Sequence, residues 1–251
     1  MGRGVIGLFC RRHRRRPVRQ IGGPGVARLK TASVSIIGAG ALGGPCALYL
    51  AAAGVGQIEI WDHDTVDRSN LQRQVQFTEA DIGKAKSTLL ADRLRAQNPS
   101  LHITSVQKRF NETSAPYGDI LIDASDNFPT RFALNEMAHS SGRYLVSGAA
   151  SRWAGQVSVF ASGLDASKPC YRCFVSEAPP EAEACDEVGV IGALTGSIGT
   201  AMALEAIKLI TGAGTPLIGR LQIHDALESS VRTVKLRPDP ECPVCSAGST
   251  R

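Results

Sequence analysis

Hydrophobic and polar positions fall into short blocks that switch between a period of two and a helical period. Val34-Ser-Ile-Ile37 is a β-branched run and reads as a buried strand. It breaks into Gly38-Ala-Gly40-Ala-Leu-Gly43-Gly44, and Pro45 follows. Proline is favoured in the first turn of a helix, and the alanine- and leucine-rich residues 45–53 favour helix as well. Gly54-Val-Gly56 stops that helix. Gln57-Ile-Glu-Ile-Trp61 predicts a second strand, closed by Asp62. Strand, glycine turn, helix and strand form the unit that builds a parallel sheet.

Further along, residues 65–83 predict a loop with short helical pieces. Lys84 to Gln97 predicts a helix, stopped by Asn98-Pro99, and Leu101 to Val106 alternates as a strand. Ile120 to Ile122 reads as a buried strand ending at Asp123, and Thr130 to Ser141 as a helix. Leu145 to Ser147 and Gln156 to Phe160 predict strands, 161–189 an irregular excursion, and 190–211 a helix of small residues. Leu221 to His224 and Ser230 to Leu236 are the last strands, before a Cys-rich tail at 238–251. The pattern predicts an α/β fold: a Rossmann-like, mostly parallel twisted sheet with helices on both faces and a C-terminal strand extension. No internal repeat or break in composition interrupts 20–251, which reads as a single domain behind a basic arm at 1–19.

With 251 residues, 43% hydrophobic and 20% charged, at a net charge of +5, the chain is too apolar to be disordered throughout. No stretch approaches the roughly 20 uninterrupted apolar residues of a spanning helix, because Glu205 and Lys208 break the run near Ile198. The charge is uneven. Nine of the 28 basic residues and none of the acidic ones lie in 1–30, so 19 basic face 23 acidic residues beyond it, a net of −4. No basic face marks the body as a nucleic-acid binder. The arm lacks the apolar core of a secretory signal, and it has no serine before Ser33 to suit a mitochondrial presequence. The cytoplasm is the expected compartment. Seven cysteines are few for a disulfide scaffold, and two Cys-x-x-Cys pairs among them suggest metal ligands.

Candidate chemistry begins at Gly38-x-Gly40-x-x-Gly43, which permits a tight turn, close approach to a phosphate and close helix packing. Asp62, at the end of the second strand, suits ribose hydroxyls. A plain tight turn is the structural alternative, and a dinucleotide oxidoreductase the commonest owner of the motif. The next stretch is a dense polar block, with Asp62-His-Asp64, Asp67, Ser69-Asn70, Arg73-Gln74 and then Gly83-Lys-x-Lys86. Arg73 and Lys86 so close behind the ribose acid suit a triphosphate, whose charge must be neutralised and whose leaving pyrophosphate must be clamped. Asp126 and Asn127 follow the strand at 120–122, where ligands bind an open parallel sheet. Asp126 suits Mg²⁺ or, alternatively, the N-cap of the next helix. Asp123 is a weaker candidate for either role.

These motifs, in this order, resemble the adenylating superfamily that activates ubiquitin-like proteins, of the ThiF/MoeB/HesA type. The resemblance covers about residues 20 to 245. It implies that Gly40 and Gly43 cradle ATP, that Asp62 binds ribose, that Asn70, Arg73 and Lys86 bind phosphates, and that Asp126 places Mg²⁺. Gly38, Asp64, Gln74 and Asn127 complete the expected nucleotide set. It further implies a homodimer in which one protomer lends an N-terminal arginine to its partner, and Arg14 stands where that arginine is expected, with Arg11 a turn earlier. The segment departs from the family there, since Arg12, Arg15, Arg16 and Pro17 replace its aromatic and apolar residues. The expected substrate is the Gly-Gly C-terminus of a small ubiquitin-like sulfur carrier of molybdopterin or thiamine biosynthesis.

Cys170-x-x-Cys173 and Cys242-x-x-Cys245 have the spacing of two metal hooks. Metal knuckles usually lie closer together than these do, and the resemblance supports a structural Zn²⁺ that ties the C-terminal extension to the excursion. Cys185 resembles the cysteine that, in some members, bonds the carrier or its sulfur. Glu181, Glu183, Asp186 and Glu187 around it should raise its pKa, which opposes that role. The chain ends soon after Cys245, so the persulfide donor is expected to be a separate protein. Gly192, Gly196 and Gly199 line one side of the small-residue helix, for close packing in the core or at a dimer interface. From the residues alone, a non-catalytic scaffold or dimer partner of the same fold stays open, and so does a dinucleotide-binding oxidoreductase.

Overall fold

The computed structural model describes residues 18–178 and 189–246. One eight-stranded sheet organises them, in the order β3-β2-β1-β4-β5-β6-β7-β8. β1 (Ser33–Ile37), β2 (Gln57–Trp61), β3 (His102–Val106), β4 (Ile120–Asp123) and β5 (Tyr144–Ser151) run parallel. β6 (Ala154–Phe160), β7 (Arg220–Asp225) and β8 (Ser230–Lys235) continue it as antiparallel strands. The strands match the expected alternation, with ends shifted by a few residues.

The chain leaves β1 toward β2 and β3 on one side and returns to β4 and β5 on the other. That reversal opens a crevice beyond the carboxyl ends of β1 and β4, the place where such sheets bind ligands. The period of two then assigns faces. Val34, Ile36, Ile58, Ile60, Ile120, Ile122 and Val146 pack against α1 (Gly22–Thr31), α2 (Gly43–Ala53), α3 (Lys86–Gln97) and α6 (Gly192–Thr211). Ile37, Leu121, Leu145 and Phe160 pack instead against α4 (Phe128–Ser140) and the single turn α5 (Tyr171–Phe174).

Two helices fall where none was expected: α1 and, inside the excursion at 161–189, the turn α5. α1 was not legible, because Gly22, Gly23, Pro24 and Gly25 open it and glycine disfavours helix. Tertiary packing supplies the stability: Leu29 is buried, and the Arg28 guanidinium donates to the carbonyl of Thr211 at the end of α6. α6 stands where a helix was expected and is, by length and composition, apolar enough to cross a membrane, although Glu205 and Lys208 interrupt its apolar run. Here it is the central helix of the larger core, packed by α1, α2, β5 and β6. Its Glu205 is buried, accepts the Leu217 N–H at 2.7 Å and pairs with Lys208.

Candidate nucleotide site and cysteine cluster

The glycine turn lies directly after β1. Gly38 has φ 102°, a left-handed conformation that suits glycine, and a Cβ there would lie 2.4 Å from the Ala124 carbonyl oxygen. A Cβ at Gly43 would strike the Gly38 carbonyl oxygen, so the turn closes tightly on the start of α2. Asp62, just past β2, braces the turn: its carboxylate accepts from the N–H of Ala39 at 2.7 Å and of Asp64 at 2.8 Å. Burial pushes the Asp62 carboxyl above its ordinary pKa; the two N–H bonds and the charge of Lys86 oppose that rise, and the charge of Asp64 adds to it.

A cavity of about 620 Å³ opens here, and Gly38, Gly40, Asp62, Asp64, Arg73, Gln74, Lys86, Asp126 and Asn127 all line it. Lys86 is buried, with Nζ 3.2 Å from Asp64 Oδ2. Arg73 Nη1 donates to the Ser69 carbonyl at 3.3 Å. Among the described residues, both cations therefore hold interactions that an incoming phosphate can replace. Gly43 and Asn70 stand behind the wall rather than on it. Asn70 Oδ1 accepts from Gln74 Nε2 at 3.2 Å, and the buried Gln74 Oε1 has no partner among the described residues.

The loop after β4 answers the question about Asp126. The helix cap is Asn127, whose Oδ1 accepts from the Thr130 N–H at 3.0 Å. Asp126 is exposed at the cavity and, among the described residues, accepts a hydrogen bond from the Asn127 amide alone, at 3.2 Å, so its carboxylate is available to a cation. Asp123 serves another purpose. It is fully buried and takes Arg131 Nη1 at 2.9 Å and the Ser147 hydroxyl at 2.7 Å. Arg131 Nη2 also donates to the carbonyls of Ser125 at 2.6 Å and Gly148 at 3.1 Å. One guanidinium thus ties the Asp126 loop to β4 and β5.

The two hooks meet. Cys170 and Cys242 sulfurs are 3.5 Å apart, Cys173 and Cys245 3.3 Å, and Cys170 and Cys173 4.0 Å. Tetrahedral Zn–S bonds of about 2.3 Å place sulfurs about 3.8 Å apart, so the donor set and its dimensions fit a structural zinc ion. Burial and the neighbouring Cys173 push the Cys170 thiol up to about 12, a cost that a bound divalent cation removes. All four ligands come from protein, which leaves no open position for chemistry.

The sequence profile of the ThiF family matches residues 12–244. The chain belongs to the ThiF family. A sulfur carrier protein adenylyltransferase of Thermus thermophilus is 42% identical over 250 residues, 96% of this chain and 92% of that protein. The SAMP-activating enzyme E1 of Haloferax volcanii is 40% identical and covers 91% and 86% of the two chains. The probable adenylyltransferase/sulfurtransferase MoeZ of Mycobacterium tuberculosis is 44% identical over 89% of this chain but only 59% of its own length. Among solved structures, E. coli MccB with ATP superposes with a TM-score of 0.77 over 88% of this chain and 68% of that one. MccB with N-formylated MccA gives 0.79, over 88% and 70%. At 22% and 23% identity these two share the fold.

Around this ThiF-family cavity stand residues that sequence reasoning did not single out. Lys108 and Arg109 follow β3 and line it, and Arg109 Nη2 donates to His63 Nε2 at 2.7 Å. Tyr171 and Phe174 of α5 also line it, so the turn that carries one cysteine hook is also a wall of the cavity. No spacing marks these residues; only the folding of β3 and α5 against the crevice does. Two expected residues, Arg14 and Cys185, lie outside the described residues, as does Arg11.

Proposed function

We propose that this chain is an ATP- and Mg²⁺-dependent adenylyltransferase. It activates the C-terminal glycine carboxylate of a small ubiquitin-like sulfur carrier with a Gly-Gly end. The observation that carries the reading is the single cavity that gathers the glycine turn, Asp62, two displaceable cations and a free Asp126 carboxylate. A dinucleotide site needs no such set of cations, and the names of the relatives agree with adenylation.

In this mechanism Asp62 holds the ribose, and the amides of the glycine turn face the phosphates. The carrier carboxylate oxygen attacks the α-phosphorus. A new C–O–P bond forms as the bond from the α-phosphorus to pyrophosphate breaks. Arg73 and Lys86 stabilise the negative charge that accumulates on the leaving pyrophosphate. The chain supplies position and charge, not a nucleophile, in this step. Bound Mg²⁺, held at Asp126, would screen the phosphate oxygens. Arg14 would join the triphosphate from the partner of a homodimer. Cys185 is the candidate for the later sulfur transfer, with sulfur drawn from a separate persulfide donor. The pathway is that of molybdopterin or thiamine, and the compartment is the cytoplasm, where four reduced thiols persist. Zn²⁺ at Cys170, Cys173, Cys242 and Cys245 is structural.

The test is ATP–pyrophosphate exchange with a panel of carriers ending in Gly-Gly. Exchange is expected with one of them, and to fall at least about a hundredfold in Arg73→Ala and Asp126→Ala. Their thermal unfolding should stay near that of the parent, because neither side chain is part of the core. Normal exchange in both variants would sink the assignment of the site.

A further inference from the structure

Gln76 stands behind the glycine turn, buried and outside the cavity lining. Its Nε2 donates to the carbonyl oxygens of Ala39 at 2.9 Å and Gly40 at 3.0 Å. A primary amide has two hydrogens, so each carbonyl takes its own. In a trans peptide the C=O and the following N–H point in opposite directions, and none of the described peptide bonds is cis. Drawing these two carbonyls toward Gln76 therefore sends the N–H groups of Gly40 and Ala41 away from it. Gly40 and Ala41 line the cavity, and among the described residues neither amide donates to a protein acceptor. The Ala39 residue is fixed from its other end as well, where its N–H meets Asp62. The neighbouring helix is shaped around the same amide: a Cβ at Gly44 would lie 2.4 Å from Gln76 Cδ and Nε2.

We propose that Gln76 is the positioning residue that aims the Gly40 and Ala41 amides at the triphosphate of ATP, an inference that rests on the adenylation reading. Donors fixed toward an anion before it arrives need no reorganisation when it binds. Glycine at position 40 leaves that peptide free to rotate unless something holds it. The Gly40 carbonyl also takes the Gly44 N–H at 2.9 Å; among the described residues Gln76 is the donor that holds the Ala39 carbonyl and adds a second bond to that of Gly40, without touching the nucleotide. Its loss should act on phosphate recognition and leave the nucleoside and the carrier alone.

The experiment measures binding of ATP with Mg²⁺, and separately of adenosine, to the full chain and to Gln76→Leu, well below the unfolding temperature. Leucine fills much of the space and donates nothing. ATP should bind roughly tenfold more weakly, the scale of losing two hydrogen bonds that orient a site, while adenosine binding is unchanged. In exchange assays KM for ATP should rise and KM for the carrier should not. Gln76→Met, whose side chain adapts more easily to a packed interior, gives the same readings if the leucine variant does not fold. Equal losses for ATP and adenosine, or no loss for either, would overturn the inference and leave Gln76 a packing residue. A parent chain that binds no ATP would overturn the adenylation reading, and this inference with it.

Discussion

Asp62 does two things at one position. It offers oxygen atoms to the cavity, and it holds the backbone of Ala39 and Asp64. Its raised pKa gives the stability a definite sign. A carboxyl whose folded pKa lies above the unfolded value binds protons more tightly when folded, so its contribution is fully present below about 4 and declines as pH rises through the folded pKa. Asp62→Asn removes that decline. Relative to the parent, the variant should gain stability as pH rises from about 4 toward 7, seen as a pH-dependent difference in Tm, while its ATP affinity falls. A difference that stayed constant with pH would contradict the assignment. The Asp126–Asn127 pair shows how far one residue can be read from sequence. A cap and a metal ligand draw on the same residue types, and only the geometry gave the cap to Asn127 and freed Asp126. Gln76 carried no sequence signal at all, because a buried glutamine that holds two carbonyls belongs to no motif.

At the scale of elements, α6 divides its glycines by use. A Cβ at Gly199 would lie 2.3 Å from the Leu42 carbonyl oxygen, and one at Gly192 would lie 2.5 Å from that of Gln72. Gly196 meets nothing within 4 Å. The expected small-residue face is thus partly intramolecular packing, against the start of α2 and the segment that carries Arg73. Gly196→Ala should stabilise the helix by up to about 1 kcal/mol, whereas Gly199→Ala forces backbone apart and should destabilise by roughly 1–3 kcal/mol, both read from chemical denaturation. A loss at Gly196 as large as at Gly199 would mean that this face is covered in the assembled protein. The polar block from Asp62 to Gln74 was recognisable as chemistry, but the shape of the loop at 65–83 comes from local bonds. Asp67 accepts the Ser69 N–H at 2.8 Å, and Thr78 and Asp81 cap each other's turn. Those turns hold Arg73 and Gln74 at the crevice without a regular helix.

For the whole molecule, the four-cysteine cluster links α5, a wall of the cavity, to the tail beyond β8. Chelating the metal from the purified protein should lower Tm by roughly 5–10 °C, a few kcal/mol for a chain of this size. Limited proteolysis should then cut near Cys242 and Cys245, where the native tail resists. Metal analysis that found no zinc, or a Tm indifferent to chelation, would leave the cluster as four packed thiols. The sequence by itself determined the order and type of nearly every strand and helix, because the period of apolar residues and the glycine and proline stops are local signals. It also named nine of the polar and glycine residues that line the cavity, because motifs place particular charges and turns at the ends of particular strands. The tertiary structure alone decided the rest. It made a helix of the glycine-rich α1 by packing it on α6, brought together hooks 69 residues apart between Cys173 and Cys242, set the buried Arg131 into the cavity wall and stationed Gln76 behind it. Those outcomes depend on which surfaces meet across the sheet, and contacts between distant segments leave no periodic trace along the chain.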